Sequence, residues 1–371
     1  MGAPAGPSPA VPARLLRRFG RRGRWAILLL GGTALLAASA FVGPVAIPPE
    51  TVAAVLLHEV SGGALAPQPC GPLPLASAVC QSRIEIVWDV RLPALLLAAI
   101  AGAALGVSGA TLQGVFRNPL ADPYLLGLSS GAALGVAALF ILKVGVAEAN
   151  IVLPFLAFAG ALGTGAIVLA AARRASRSVE TLLLTGVAIS NLLSAVMLVL
   201  VLSNPIGSLQ VTFWLLGGLG GATWARDGIA LGGVLVAGGI LSLYGRELNL
   251  LQLGPEVAQS LGLQAARVRT RLLFLASLAT AMAVAFTGVI GFVGLVSPHI
   301  VRRLLGGDYR VVLPASAFVG GVFLLVANDL ALLALPTSEL PVGIVTAFAG
   351  APFFLALLYR RRRAVPDGGM P

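Results

Sequence analysis

Long uninterrupted runs of apolar residues constrain the fold of this chain more than any other feature of its sequence. A helix needs roughly 20 such residues to cross a bilayer. Of the 371 residues, 58% are hydrophobic and only 11% are charged, whereas soluble domains carry about 25% charged residues. Segments of alternating polarity, which would favour a membrane β-barrel, are absent. The sequence therefore predicts an all-α integral membrane protein.

The apolar runs predict one domain of about ten transmembrane helices over residues 25–363, flanked by a disordered basic tail (1–24) and a short second tail (364–371). The first run also resembles a signal peptide, because it follows an arginine cluster and passes Ala38-Ser39-Ala40. It continues apolar to Ile47, which favours a retained span. The runs lie near 25–47, 92–114, 124–146, 151–172, 181–203, 228–245, 271–289, 290–305, 311–334 and 341–359.

In a ten-span topology, most of the basic residues lie on one side of the membrane. With the N-terminus inside and ten spans, 21 of the 25 lysines and arginines fall in inner segments. Only Arg83, Arg91, Lys143 and Arg226 fall outside. This is the positive-inside pattern, so we predict that both termini are cytoplasmic. Short arginine clusters between apolar runs also disfavour a nucleic-acid partner.

The longest polar stretch, residues 48–90, is then extracytoplasmic and holds both cysteines, Cys70 and Cys80. That compartment permits disulfides, and we predict that the two pair, with two free thiols as the alternative. Two cysteines and two histidines, His58 and His299, give no expected metal site and no expected cofactor.

The chain has no recognisable energy-converting unit. A P-loop needs Gly-Lys-Ser/Thr, but the only lysine, Lys143, is followed by Val144. Asp329 is the one acid well inside an apolar run, and we interpret it as a capping or interhelical hydrogen-bonding group rather than a proton-coupling site. No catalytic cluster suggests an enzyme. A channel or permease powered by another subunit remains.

Three ordered segments identify the class. The first runs from Arg91-Leu92-Pro93 through Gly109–Gln113 to Phe116–Pro123 and Leu126–Gly131; the second is Gly288–His299; the third runs from Glu339–Gly343 to Gly350–Phe354. Together they resemble the permease family of ABC importers for iron–siderophore complexes, haem and cobalamin, over about three quarters of the chain. The resemblance implies a vitamin B12/siderophore permease-like fold in a bacterial or archaeal plasma membrane.

The resemblance also implies partners. They are a second copy of the chain, two cytoplasmic ATP-binding-cassette ATPase subunits that supply the ATPase activity, and an extracytoplasmic substrate-binding protein. An ion-coupled secondary transporter is the main alternative, and a membrane scaffold or enzyme is a weaker one.

One inner loop is expected to meet the ATPase. Pro255 and Glu256 suit a helix start and Gly262 its end, and the resemblance makes this short helix a coupling helix, with Ala258 and Leu261 on one face. The set is Leu253, Gly254, Pro255, Glu256, Ala258, Leu261 and Gly262. A second inner loop, stiffened by prolines, contains Asn118, Pro119, Asp122 and Pro123.

Docking of the binding protein is assigned to the outer arginines Arg83, Arg91 and Arg226, which would pair with its acids. Two positions depart from the family pattern, because Ala94 and Leu332 stand where the family often has further arginines. In the fifth span, helical spacing places four residues near one face, as candidates for the translocation path or for interhelical hydrogen bonds: Ser190, Asn191, Ser194 and Met197. Ser176, Ser178 and Glu180 are candidates for the inner mouth.

Overall fold

The computed structural model is all-helical within the residues that it describes, which are 20–64, 76–141, 146–175, 179–203, 205–335 and 339–362. A π-helical segment (Ile86–Arg91) and a 3-10 turn (Pro123–Leu126) supplement the α-helices. The helices are α1 (Arg21–Ser39), α2 (Pro49–Ser61), α3 (Ala76–Glu85), α4 (Leu92–Phe116), α5 (Leu128–Ile141), α6 (Val146–Ala175), α7 (Val179–Leu202), α8 (Pro205–Leu215), α9 (Trp224–Leu243), α10 (Gly245–Gln252), α11 (Pro255–Ser260), α12 (Ala265–Thr287), α13 (Val293–Leu305), α14 (Tyr309–Ala334) and α15 (Val342–Arg362).

Each apolar run of the sequence holds one helix of substantial length. Six helical stretches are long and apolar enough to cross a membrane: Val79–Phe116, Val152–Ala172, Glu180–Leu202, Trp224–Leu243, Ala265–Thr287 and Tyr309–Ala334. Three shorter apolar helices are Gly23–Ser39, Leu128–Leu139 and Val342–Leu357. The seventh and eighth runs are separate helices, α12 and α13.

Two predicted boundaries are wrong. Helix α1 begins at Arg21, inside the stretch predicted to be a disordered tail. The helix that holds the second apolar run begins well before residue 92, because α3, the π-helical segment and α4 form one continuous helical stretch that includes Val79–Phe116. Much of the predicted outer loop is therefore helical.

The π-helical segment explains how that helix passes Pro93. A proline inside an α-helix lacks an N–H and its ring clashes with the carbonyl four residues earlier. The backbone widens just before Pro93, where the N–H of Leu92 bonds to the carbonyl of Val87, five residues back. Such π turns inside α-helices often mark functional positions.

Helix α4 is the buried centre of the bundle and packs against α9, α12, α13 and α14. Its glycines make these contacts possible. A Cβ added at Gly102, Gly106 or Gly109 would collide with the backbone carbonyl of Gly320, Ser316 or Gly294 respectively. The hydrophobic effect does not drive helices together in lipid. Close packing through small residues stabilises the contact between these helices instead.

Helix α7 is the opposite case, because much of its surface faces away from the rest of the chain. Leu184, Leu192, Leu198, Val199 and Leu202 are all more than half exposed. The surroundings of this helix must therefore be lipid or another polypeptide.

Candidate functional site

Helix α11 projects from one end of the bundle as a short exposed element. Gly254, before it, has φ of +105° and Gly262, after it, has φ of +83°, values that glycine adopts without the penalty of a side chain. Pro255 occupies the first turn with Glu256, which is exposed. The predicted short helix between two glycines is therefore present.

Three apolar side chains on this helix and directly beside it are exposed. Leu253 is 58% exposed, Val257 45% and Leu261 59%, whereas Ala258 is fully buried against the chain's own helices. The expectation that Ala258 and Leu261 share one face is wrong, because Ala258 is fully buried whereas Leu261 is exposed. We define Leu253, Val257 and Leu261 as the apolar tip.

Helix α10 holds the apolar tip on the bundle, a role that no sequence motif indicated. The Asn249 side chain donates from Nδ2 to Asp308 Oδ1 (2.8 Å) and accepts from the Tyr309 N–H (2.9 Å) at the start of α14. Gln252 Nε2 donates to the Gly114 carbonyl (2.8 Å) near the end of α4. Leu248 and Leu251, on the buried face of α10, could have signalled this contact.

The proline-stiffened loop after α4 lies beside the same end. Asn118 Oδ1 accepts from the Leu120 N–H (3.0 Å), and Asp122 Oδ1 accepts from the Tyr124 N–H (2.9 Å). Burial raises the pKa of the Asp122 carboxyl to about 6, against the opposing effect of that hydrogen bond. The hydroxyl of Tyr124 donates to the Ile290 carbonyl (2.9 Å). The loop is thus tied to the connection between α12 and α13.

Gln113, from the first identifying segment, joins α4 to α13. Its Nε2 donates to the carbonyls of Gly294 (3.2 Å) and Leu295 (3.4 Å), and its Oε1 accepts from Arg302. The side chain is 2% exposed. Gln113 therefore connects the first identifying segment to the second, and Asn249, Gln252 and Gln113 together link the apolar tip to the central helices.

At the other end of α4, Arg91 is not free for docking. It is only 6% exposed, and its guanidinium donates to the carbonyls of Ala40 (3.1 Å) and Val45 (3.0 Å). Asp329 lies close enough to interact electrostatically with it and accepts a hydrogen bond from Ser39. This bond is the interhelical role expected of Asp329. Arg91 fastens the connection between α1 and α2 to the bundle.

We expect Arg91→Ala to lower the stability of the protein by about 2–4 kcal/mol, because two carbonyls lose a charged donor and Asp329 loses its nearby cation. Thermal unfolding in lipid nanodiscs measures this as a lower midpoint. Arg83→Ala, at the same end, is the control and should unfold near the wild-type temperature. Equal midpoints for the two variants would contradict the fastening role.

The other predicted residues are dispersed. Arg83 and Arg226 are half-buried, and Arg226 donates to the Gly221 carbonyl (2.6 Å). Ser194 contacts Ser130 (3.3 Å between hydroxyls) and Ser190 lies beside Gly127. Met197 packs on the core, whereas Asn191 is exposed. Of the four candidate path residues, Ser190, Ser194 and Met197 thus contact other parts of the bundle, and Asn191 lies on an exposed face.

Three predicted residues lie outside the described part of the chain. Two of them, Ser176 and Ser178, were predicted to lie at the inner mouth. The third residue of that prediction, Glu180, is described and is exposed. Cys80 is buried on α3, but Cys70 lies in an undescribed segment, so their pairing stays a prediction.

Several known proteins are similar to most of this chain. A model of the FecCD transport family matches residues 28–360. The cobalamin import system permease protein of Halobacterium salinarum is 42% identical over 355 residues, covering 88% of this chain and 93% of the relative. The hemin transport system permease protein of Yersinia pestis is 41% identical over 280 residues, covering 74% and 84%.

A solved structure agrees with these sequence matches. A metal-chelate type ABC transporter in an inward-facing conformation matches with a TM-score of 0.74 and 30% identity, covering 90% of this chain and 99% of that one. The chain therefore belongs to the FecCD transport family, and it is a multi-pass plasma-membrane permease subunit of the ATP-binding-cassette transporter class.

Proposed function

We propose that this chain forms the membrane path of an importer for an iron–siderophore complex, haem or cobalamin, and that a separate ATPase drives it. The apolar tip is the observation that carries this proposal. An exposed apolar cluster outside the membrane marks a protein contact, and hydrogen bonds connect its base to α4 and α14. Movement of a bound ATPase would thereby reach the bundle centre.

The proposed topology has ten spans, comprising the six long apolar helices, the three shorter ones and α13. The arginine distribution supports an inward position for both ends of the chain and for the apolar tip. The N-terminal end of α4, with Arg91, then faces outward. Helix α4 is 25 residues long, which at 1.5 Å per residue gives a rod of roughly 37 Å, long enough to join the two sides.

We further propose that two copies of the chain assemble with the path between them. The open apolar surface of α7 supports this arrangement, since Asn191 lies exposed within it among leucines and valines. A weakly polar path would suffice for transport, because the extracytoplasmic protein selects the substrate. Native mass spectrometry of the purified chain should give a species of twice the chain mass.

Uptake into proteoliposomes tests the proposed function. Vesicles holding the chain with its ATPase, ATP inside and a substrate-loaded binding protein outside should accumulate cobalamin, haem or a ferric siderophore. Vesicles without the ATPase, or with a non-hydrolysable ATP analogue, should not. Uptake by the chain alone that collapses with a proton or sodium gradient would instead establish the secondary-transporter alternative.

A further inference from the structure

An open groove lies between the second half of α6 and the first half of α12. Its volume is about 360 Å³. Because residues late in α6 line it together with residues early in α12, the two helices run antiparallel here. We call it the lateral groove, and four of its six lining residues are apolar: Ala166, Leu169, Ala170, Thr270, Arg271 and Phe274.

The lateral groove opens to the surroundings of the bundle. Ala166 and Ala170 are exposed, and Phe274 is 53% exposed. Both helices belong to the six that are long and apolar enough to cross a membrane. Apolar surface exposed on such helices contacts lipid chains or another polypeptide. The wall of the groove is therefore suited to an apolar chain.

Three arginines lie at one end of the groove. Arg271 lines it and is exposed. Arg267 precedes Arg271 by one helical turn, and Arg174 follows Ala170 by one turn, so both lie on the helix faces that form the groove. They are also exposed. We call these three residues the lateral arginines. Within the described part of the chain, no hydrogen bond or ion pair engages their guanidinium groups.

The two helices supply no carboxylate to neutralise this charge. Helix α12 contains no aspartate or glutamate. The one acid of α6, Glu148, precedes Ala170 by 22 residues, which is roughly 33 Å along a helix. Glu180, at the start of α7, already has a partner in the chain. The lateral arginines therefore remain available to an anion from outside.

The order of groups along the groove adds to the charge. Arginines at the inner ends of membrane helices are expected in any protein of this class, and they alone would indicate no ligand. Here Thr270 and Arg271 lie directly beside an apolar wall that continues one helical turn further to Phe274. The arrangement fits a ligand with an anionic head and an apolar tail.

We propose that the lateral groove binds one anionic phospholipid. Its phosphate lies among the lateral arginines and accepts a hydrogen bond from the Thr270 hydroxyl, and an acyl chain lies against Ala166 and Phe274. Basic pockets between transmembrane helices on the cytoplasmic side bind anionic headgroups in this way. A zwitterionic lipid brings a second cation to the arginines, and a soluble anion leaves the apolar wall uncovered.

Native mass spectrometry of the purified chain with added phosphatidylglycerol or phosphatidylcholine tests the charge requirement. We expect one phosphatidylglycerol per chain, bound about tenfold more tightly than phosphatidylcholine. Arg267→Gln with Arg271→Gln should weaken its Kd at least tenfold. Arg303→Gln with Arg310→Gln removes two exposed arginines outside the groove and should change the Kd by no more than about twofold. Equal effects of the two double variants would overturn the inference.

A second pair of variants tests the apolar wall without changing charge. Ala170→Trp fills the groove and should weaken phosphatidylglycerol binding about tenfold. Ala159→Trp, at an exposed position of α6 outside the groove, should leave it unchanged. Thermal unfolding checks that both variants are folded, and phosphatidylglycerol should raise the unfolding midpoint of the wild type and of Ala159→Trp alone.

Three results would contradict the proposal. Undiminished binding by Ala170→Trp would place the lipid elsewhere. Displacement of the lipid by millimolar inorganic phosphate would show that the arginines bind a free anion. Loss of the two-copy species in Ala170→Trp, with no lipid bound to the wild type, would show that a second copy covers the groove. None of these results bears on the uptake assay, so the proposed function is tested separately.

Discussion

Replacing Val257 and Leu261 by glutamate is expected to abolish ATP-driven uptake while the two-copy assembly still forms. Both side chains are about half exposed on the apolar tip and are available to a partner. Losing their burial in an ATPase cleft, and burying two carboxylates there instead, should cost about 3 kcal/mol, or roughly 100-fold in ATPase affinity. Co-purification with the ATPase and uptake rate are the two measurements.

The matched control places the same charges on the same loop. Gln259 and Gln264 are exposed beside the apolar tip, so Gln259→Glu with Gln264→Glu adds two carboxylates without removing apolar surface. We expect this variant to bind the ATPase nearly as the wild type does. If both double variants lost binding equally, net charge and not the apolar tip would govern the contact.

Gly109→Ala is expected to be the most damaging single methyl addition in the bundle. A Cβ at Gly109 would collide with the backbone carbonyl of Gly294, which no rotamer change can relieve. The expected loss of stability is about 1–3 kcal/mol or more, because α4 and α13 must separate. The thermal unfolding midpoint in nanodiscs, and the yield of folded protein, report it.

Gly163→Ala, in α6, is the control for this prediction. An added Cβ there meets no atom within 4 Å, and alanine has a higher helix propensity than glycine by about 1 kcal/mol. That variant should be as stable as the wild type or more so. Similar unfolding midpoints for the two variants would show that α4 and α13 are not in close contact.

The membrane class, the ten apolar runs and the short helix at Pro255 could be predicted from local signals, since hydropathy and helix-capping chemistry depend on neighbouring residues. The burial of Arg91 could not. An arginine before an apolar run is typical of a membrane–water boundary, and only the fold brings the carbonyls of Ala40 and Val45, about 50 residues earlier, onto its guanidinium.

The apolar tip shows the same limit. The spacing of Ala258 and Leu261 predicts a shared face, but the packing of this short helix on the bundle buries Ala258 and leaves Leu261 exposed. The tie from Asn249 to Asp308 joins residues 59 positions apart, and no local pattern encodes it. Local chemistry therefore predicted the elements, whereas the contacts between them required the fold.

The uneven packing of α4 and α7 determines which parts of the bundle can rearrange at low cost. Backbone-to-backbone contacts at Gly102, Gly106 and Gly109 leave α4 no alternative register, because a shift along its axis would bring side chains against the carbonyls of α13 and α14. Helix α7 has no such restraint along its exposed face. A cycle of opening and closing should therefore move α4, α13 and α14 together as one rigid unit and change the tilt of α7 relative to it. Hydrogen exchange during ATP turnover should be fastest in α7 and slowest in α4.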